Sequence, residues 1–407
     1  METKKHHRHQ ISTICTLGGA GHGKTTLTAA TINVVSKVGS TQTLAHDLDL
    51  QQPIHHSIGG RLGVSYKAVD YETSGRHYTH IDAISHADNV KMLISGSPKV
   101  GGAILVVSAI DGVTTETESQ IRLASQTRIP AVVAFLNKAE LIKDPELIEI
   151  CQMEIRETLT AYGYAEAKSP IIIGDAERAL RYSGNNLSSS DWKPIVDLIF
   201  ALNRFIPQPI NTSELPLILP LREVTDDPKT GVSTLHGEII QGRLAVGHSV
   251  HIVGKGNLIK TRCVAVRSHA ELSLSQNNEQ TDQSVENQEV VQVDSEPGWL
   301  SPGQVVSDPK TIKSHTVFEA AVYVMTQEEC GVHIPLVEND KPDVHLWTID
   351  ITGHLRLPPD VAVINPGEYA TVKITLDTPM ALSVGARFDL KKMGVKLGIG
   401  VVTAIVE

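Results

Sequence analysis

Residues 18–25 read Gly-Gly-Ala-Gly-His-Gly-Lys-Thr and satisfy the spacing GxxxxGK[ST]. They follow an apolar run of strand length, Ile11–Leu17, and open a stretch with helical character, Thr25–Lys37. That context matters. Glycines between a strand and a helix let successive backbone N–H groups wrap a phosphate chain at the helix N-terminus. In such a loop Lys24 supplies a point charge to the β- and γ-phosphates, and the Thr25 hydroxyl can ligate Mg²⁺. A glycine-rich turn that binds nothing is the plain alternative, but here strand, loop, lysine, threonine and helix all fall in register. The chemistry is nucleoside triphosphate binding, and the loop alone does not choose the base.

Asn137-Lys138-Ala139-Glu140, at the end of the apolar run Ala131–Asn137, bears on that choice. An asparagine at a strand end, a lysine to lie over a ring and a carboxylate two residues later can read a purine edge. The carboxylate accepts two N–H bonds from guanine N1 and N2, which adenine cannot offer. Four residues are a weak match in isolation and more often mark a strand exit. Placed after a phosphate loop, they point to guanine.

The elements that must hold these loops are legible around them. Ala103–Ala109 and Pro170–Gly174 are further apolar runs, and helix-like stretches lie at Thr115–Gln126, Glu146–Tyr162 and Asp191–Phe205. Strands alternating with helices predict an α/β domain, a parallel sheet covered on both faces. The stretch Ile206–Ser213, with two prolines, reads as a linker. Beyond it, Ser249–Val253, Glu289–Val293, Ala320–Val324, Ala370–Leu376 and Gly398–Val406 are short, β-branched and separated by turn residues. This predicts two small β-barrels. The expected organisation is a nucleotide-binding domain over 1–205, a linker over 206–213, and barrels over 214–307 and 308–407. Ser273–Glu286 reads as a polar surface loop of the first barrel.

The chain has 407 residues, with 36 Lys and Arg against 46 Asp and Glu, a formal charge of -10. No run approaches the roughly 18 apolar residues needed to span a bilayer, and METKKHHRHQ lacks the apolar core of a signal peptide. The four cysteines, Cys15, Cys151, Cys263 and Cys330, are too scattered for a zinc site or a disulfide framework. These features predict a cytoplasmic protein without membrane or DNA partners. A net acidic chain with 4% aromatic residues offers no general nucleic-acid field and no stacking platform, so any RNA contact must be local. His6, His7 and His9 read as part of a solvated basic arm, and His55-His56 as exposed loop.

At this point the sequence resembles the bacterial elongation factor Tu family over nearly its whole length. GHGKTTLTAAT (Gly21–Thr31), HADNVKMLISG (His86–Gly96), GGAILVVSAIDGVTTET (Gly101–Thr117) and AVVAFLNKAE (Ala131–Glu140) carry the likeness in the first half. VGHSVHIVG (Val246–Gly254), SPGQVV (Ser301–Val306), TIKSHTVFEAAVYV (Thr311–Val324) and TIDITG (Thr348–Gly353) carry it in the second. The resemblance implies a GTP-binding domain and two barrels whose GTP form carries aminoacyl-tRNA to the ribosome, with a nucleotide exchange factor as a further partner. Carried over by position, it implies that Gly18, Gly21, His22, Gly23, Lys24, Thr25 and Thr26 surround the phosphates of GTP or GDP. Thr25 and Asp82 would hold Mg²⁺, and Asn137, Lys138, Glu140, Asp175 and Ala176 would surround the base. His86 would position the attacking water for in-line phosphoryl transfer.

The same comparison exposes departures. The switch I threonine falls on Val64, in RLGVSYKAV (Arg61–Val69), and valine cannot ligate a hard cation. The second switch reads Asp82-Ala83-Ile84-Ser85, with serine where the family has a glycine that flips. Glu140 replaces an aspartate, Asp175-Ala176-Glu177 replaces Ser-Ala-Leu, and Gly21 replaces an aspartate beside the phosphates. Thr225–Glu238 lacks an evident aromatic and arginine that help hold the aminoacylated 3′ end, with Glu238 near the arginine position. GVHIP (Gly331–Pro335) and KPDVHLW (Lys341–Trp347) replace arginine-bearing stretches, and only Lys341 keeps a charge there. The expectation is an elongation factor Tu-like GTPase delivering aminoacyl-tRNA. The alternatives are a degenerate paralogue acting as a regulatory or scaffold protein and, more distantly, an ATP-using P-loop enzyme.

Overall fold

The computed structural model describes residues 11–38, 54–58, 62–73, 75–184, 186–227, 229, 231–268, 288–294 and 298–406. The basic arm with His6, His7 and His9, the polar stretch Ser273–Glu286 and Arg61 lie outside the described residues. The chain divides into two compact units, Met1–Pro209 and Ile210–Glu407.

In the first unit the strands are β1 (Ile11–Leu17), β2 (Ile54–Ile58), β3 (Leu62–Thr73), β4 (Arg76–Ala83), β5 (Gly102–Ser108), β6 (Val132–Asn137) and β7 (Ile171–Ile173). They form one sheet in the order β2-β3-β4-β1-β5-β6-β7. From β4 to β7 all pairings are parallel. The helices are α1 (Lys24–Val38), α2 (His86–Ser95), α3 (Thr115–Gln126), α4 (Pro145–Ala161), α5 (Ala176–Arg181) and α6 (Lys193–Phe205). Every residue of β5 is buried, as expected of a strand covered on both faces. Ile104 and Val106 share a core with Leu27 and Val34 of α1 and with Ile195 and Leu198 of α6. Trp192 is fully buried in that core, with Nε1 donating to the Ala179 carbonyl at 3.0 Å.

One edge of the sheet differs from expectation. Of the stretch that the resemblance aligns with switch I, Leu62 onward belongs to β3, antiparallel to β4 from Tyr66↔Ala83 to Thr73↔Arg76. His55-His56, expected in a loop, lie on β2, antiparallel to β3. Val64 and Tyr71 are core residues. The β-branched and aromatic residues of β3 suit a pleated strand, and Val64 within it is buried and has no oxygen to offer a cation. Helix α5 was not anticipated either; at six residues its helical period is too short to read.

Beneath α1, His80 of β4 is fully buried. Its Nε2 bonds the Thr16 hydroxyl at 2.6 Å, and the Tyr71 hydroxyl lies 3.5 Å from Nδ1. Burial among neutral groups holds the imidazole uncharged and pushes its pKa down to about 4. The unfolded chain binds that proton near pH 6.5. His80 therefore contributes stability that is complete above about pH 6.5 and is lost as pH falls toward 4, about 3 kcal/mol in all. Urea unfolding midpoints measured between pH 7 and pH 4.5 should fall accordingly, and His80→Gln should flatten that slope. An unchanged slope would remove His80 as its source.

The second unit holds two closed barrels. The first is built from β8 (Ile218–Asp227), β9 (Val232–Glu238), β10 (Ser249–Gly254), β11 (Asn257–Ser268), β12 (Gln288–Asp294) and β13 (Val305–Ser307). The second uses β14 (Lys313–Val324), β16 (Asp343–Leu346), β17 (Ile349–Arg356), β19 (Tyr369–Leu382), β20 (Arg387–Lys392) and β21 (Val395–Ile405). A short pair, β15 (Leu336–Val337) and β18 (Val363–Ile364), stands beside it. Each barrel has its own apolar interior, around Leu219, Leu235 and Val291 in the first and Phe318, Leu346 and Phe388 in the second. Among the described residues no helix is long and apolar enough to cross a membrane.

Candidate functional site

The C-terminal ends of β1, β4, β5 and β6 bring the sequence-predicted residues to one end of the first sheet. Such an end, where strands hand over to helices, is where open α/β sheets place ligands. Gly18 leaves β1 with φ +136°, and a Cβ there would run into the Val106 carbonyl of β5. Gly23 has φ +92°, and a Cβ there would meet the Asn137 amide. Both positions therefore require glycine, for the backbone angle and for the close approach. Helix α1 begins immediately at Lys24, with the Leu27 N–H closing onto the Gly23 carbonyl at 2.9 Å.

Lys24 curls back over its own loop, its ammonium donating to the Gly18 and Gly19 carbonyls at 2.8 and 2.9 Å. Burial lowers its pKa, while the Glu116 and Asp82 carboxylates raise it. Thr26 lies in the first turn of α1. His22 is buried, with Nδ1 3.3 Å from the Val106 carbonyl. Its ring supports the loop from inside, against Gly19.

Thr25 and Asp82 meet across the sheet: the threonine hydroxyl donates to Asp82 Oδ2 at 2.7 Å. Asp82 is buried, and its Oδ1 has no hydrogen-bond partner. Burial raises its pKa, opposed by the Thr25 bond and by Lys24 and Lys67. An orphaned carboxylate oxygen beside a hydroxyl is an all-oxygen donor set suited to Mg²⁺, which is held by few protein ligands and keeps several waters. The residues fit the ion.

Asn137 ties three segments together. Its Nδ2 donates to the His22 carbonyl at 2.9 Å, and its Oδ1 accepts from the Ala176 N–H at 3.0 Å. Lys138 adopts φ +60° and reaches the Gly21 carbonyl at 2.7 Å. Asp175 caps α5 by accepting from the Arg178 N–H at 2.9 Å. Glu140, Asp175, Glu177, Arg178, Arg181, Tyr182 and Asp191 line a cavity of about 410 Å³ beside these residues. Arg178 pairs with Asp191 and Arg181 with Glu177, so the local cations are already matched. Glu140 has its pKa raised by partial burial and by Asp175 and Glu177.

Ser85 stands at φ −129°, ψ 166° and caps α2, its hydroxyl accepting from the Asp88 N–H at 3.1 Å. That is extended backbone, open to any residue, and the cap gives the serine a reason to stay there. Asp88 also accepts from the Ser65 N–H at 3.1 Å, and Lys91 donates to the Gly63 carbonyl at 2.8 Å. These bonds tie α2 to β3. His86 opens α2 with Nδ1 2.9 Å from the Gln120 amide nitrogen and 3.3 Å from Glu116 Oε1. Burial first, and then Lys24, lowers its pKa, while Glu116 raises it.

Two residues of this site escaped sequence reasoning. Glu116 and Gln120 of α3 accept from the Ala20 and Gly18 N–H groups at 2.9 and 2.7 Å. A sequence offers only two polar residues one helical turn apart, which is the pattern of any solvated helix face.

On the second unit, Thr225 lies in β8, which ends at Asp227, and Val232–Glu238 is β9, with Glu238 opposite Gln288 of β12. Trp347 packs between the barrels and donates to the Ala381 carbonyl at 2.8 Å. Lys391, Lys392 and Lys396 of the second barrel are each paired with an aspartate, Asp350, Asp340 and Asp389.

Two family models match the chain: the elongation factor Tu GTP binding domain over residues 9–208 and the elongation factor Tu C-terminal domain over residues 311–406. The first spans the sheet and its glycine loop, and the second spans the second barrel. With the α/β domain, the two closed barrels and the phosphate-loop geometry in agreement, the chain belongs to the elongation factor Tu family of translational GTPases.

Proposed function

We propose that the chain binds GTP with Mg²⁺, hydrolyses it, and uses the cycle to deliver aminoacyl-tRNA to the ribosome. The observation that carries this reading is the Thr25–Asp82 pair with its orphaned buried oxygen, set beside the positive-φ glycine loop and Lys24. Thr25 directly, and Asp82 through water, would hold the ion, whose charge would offset that of the β- and γ-phosphate oxygens. Lys24 and the loop N–H groups would orient the triphosphate, and Glu140 would accept the N1 and N2 protons of guanine. His86 would orient the attacking water. The protein contributes positioning and charge neutralisation rather than covalent chemistry.

A second reading has its own support. Lys391, Lys392 and Lys396 of the second barrel are engaged with aspartates, and phosphate contacts dominate nucleic-acid affinity. A paralogue with a weakened tRNA surface, acting through protein contacts, would have this character.

Titration of nucleotide-stripped protein with fluorescent GDP, GTP and ATP, with and without Mg²⁺, separates the readings. Mg²⁺-dependent binding of guanine nucleotides at least about tenfold tighter than ATP is expected, since Glu140 would otherwise face guanine's lost N–H bonds unpaired. Gel-shift of aminoacyl-tRNA by the GTP form then tests delivery. Guanine binding without any tRNA complex would favour the paralogue, and indifference to Mg²⁺ and γ-phosphate would remove both the switch and the GTPase cycle.

A further inference from the structure

Helix α3 presents Glu116 and Gln120, one turn apart, to the phosphate loop and to His86 together. Gln120 is almost fully buried, and its Oε1 accepts from the Gly18 N–H at 2.7 Å. That bond orients the amide, because a backbone N–H needs the oxygen and not the nitrogen. The amide nitrogen is then the atom 2.9 Å from His86 Nδ1. An amide N–H₂ only donates, so this contact is a hydrogen bond when Nδ1 accepts, which puts the proton of the neutral imidazole on Nε2. Glu116 spans the same two partners, with Oε2 on the Ala20 N–H at 2.9 Å and Oε1 3.3 Å from His86 Nδ1.

We propose that Gln120 and Glu116 are positioning residues that clamp His86 to the phosphate loop. Gln120 holds the neutral ring as its Nε2–H tautomer, and Glu116 receives Nδ1–H when the ring is protonated. This rests on the reading of His86 as the residue that orients water, and it deepens that reading. With its proton on Nε2, neutral His86 acts at that nitrogen as a hydrogen-bond donor and cannot remove a proton from water there. Among the described residues, the charged groups acting on the ring include Glu116 from α3, which favours the cation, and Lys24 from α1, which opposes it. Because the bonds end on Gly18 and Ala20 backbone, any shift of the phosphate loop is passed to His86 through α3.

The test is ¹⁵N-histidine NMR of the nucleotide-free chain, with the His86 signal assigned by its loss in His86→Gln. The neutral ring of the unmodified protein should show Nε2 protonated and Nδ1 bare. Gln120→Glu keeps an acceptor for the Gly18 N–H but replaces the donor at Nδ1, and should move the proton to Nδ1 or raise the His86 pKa by about one unit. Glu116→Gln should lower the pH at which the ring titrates. A wild-type ring protonated at Nδ1 would overturn the clamp, with no variant needed. So would a tautomer and titration unmoved in both variants. GTP turnover measured alongside separates this inference from the function on which it rests. The expected tautomer with no GTP hydrolysis would leave the clamp standing and remove the hydrolytic reading of His86.

Discussion

Lys24→Ala should weaken guanine-nucleotide binding by about two to three orders of magnitude. Truncating one partner of a buried, hydrogen-bonded charge pair typically costs about 2–5 kcal/mol, much of it because the remaining charge is left unmatched. Here the remaining charge would be a polyphosphate. The ammonium also lies across its own loop, on the Gly18 and Gly19 carbonyls, so its loss frees two loop carbonyls as well as a cation. Lys24→Arg keeps the charge but replaces a compact ammonium with a planar fork too large for the same carbonyl pair, and should restore only part of the affinity. Fluorescent GDP titration measures both, with circular dichroism confirming the fold. Full affinity in Lys24→Ala would show that residues 18–25 are not the phosphate site.

His86→Ala should lower ribosome-stimulated GTP hydrolysis by about 10²–10³-fold, the usual cost of removing one preorganised hydrogen-bond donor from the transition state. GDP affinity should change little, because the proposed contact is with attacking water and forms on the way to the transition state. His86→Gln, which retains a donor of similar reach, should fall between the two. Single-turnover hydrolysis with saturating ribosomes distinguishes these outcomes from a binding defect. Equal loss of affinity and rate would make His86 a structural residue of α2. An unchanged rate would move the water-orienting role elsewhere.

Much of the first unit was legible because its signals are local. The helix-like stretch read at Thr115–Gln126 is α3 with the same bounds, and the structure closes its start with the Thr114 side chain; the strands before the glycine loop and before Asn137 are short apolar runs with clear ends. The β2–β3 edge was not legible, since its alternation sits in a stretch expected to switch conformation, and a strand on an antiparallel edge depends on its partner β4. Helix α5 is too short to show a period, yet its first N–H is what holds Asn137. In the barrels, strand centres were readable while closure was not, because pairings such as β10 with β13 or β14 with β21 join residues far apart in the chain.

The sequence by itself determined the chemistry that the loop can do: glycines where φ is positive, a lysine and a threonine at the helix start, and a carboxylate at the end of β4. It also determined the alternation of elements that puts them at one end of a parallel sheet. These are properties of spacing and residue type, carried by bonds within a few residues. Only the tertiary structure decided which side chains complete the site. Glu116 and Gln120 lie about a hundred residues from the loop they bond, and no local pattern marks them. Their role comes from α3 packing beside β1 and α2, which places two ordinary polar residues against backbone N–H groups and an imidazole that need partners.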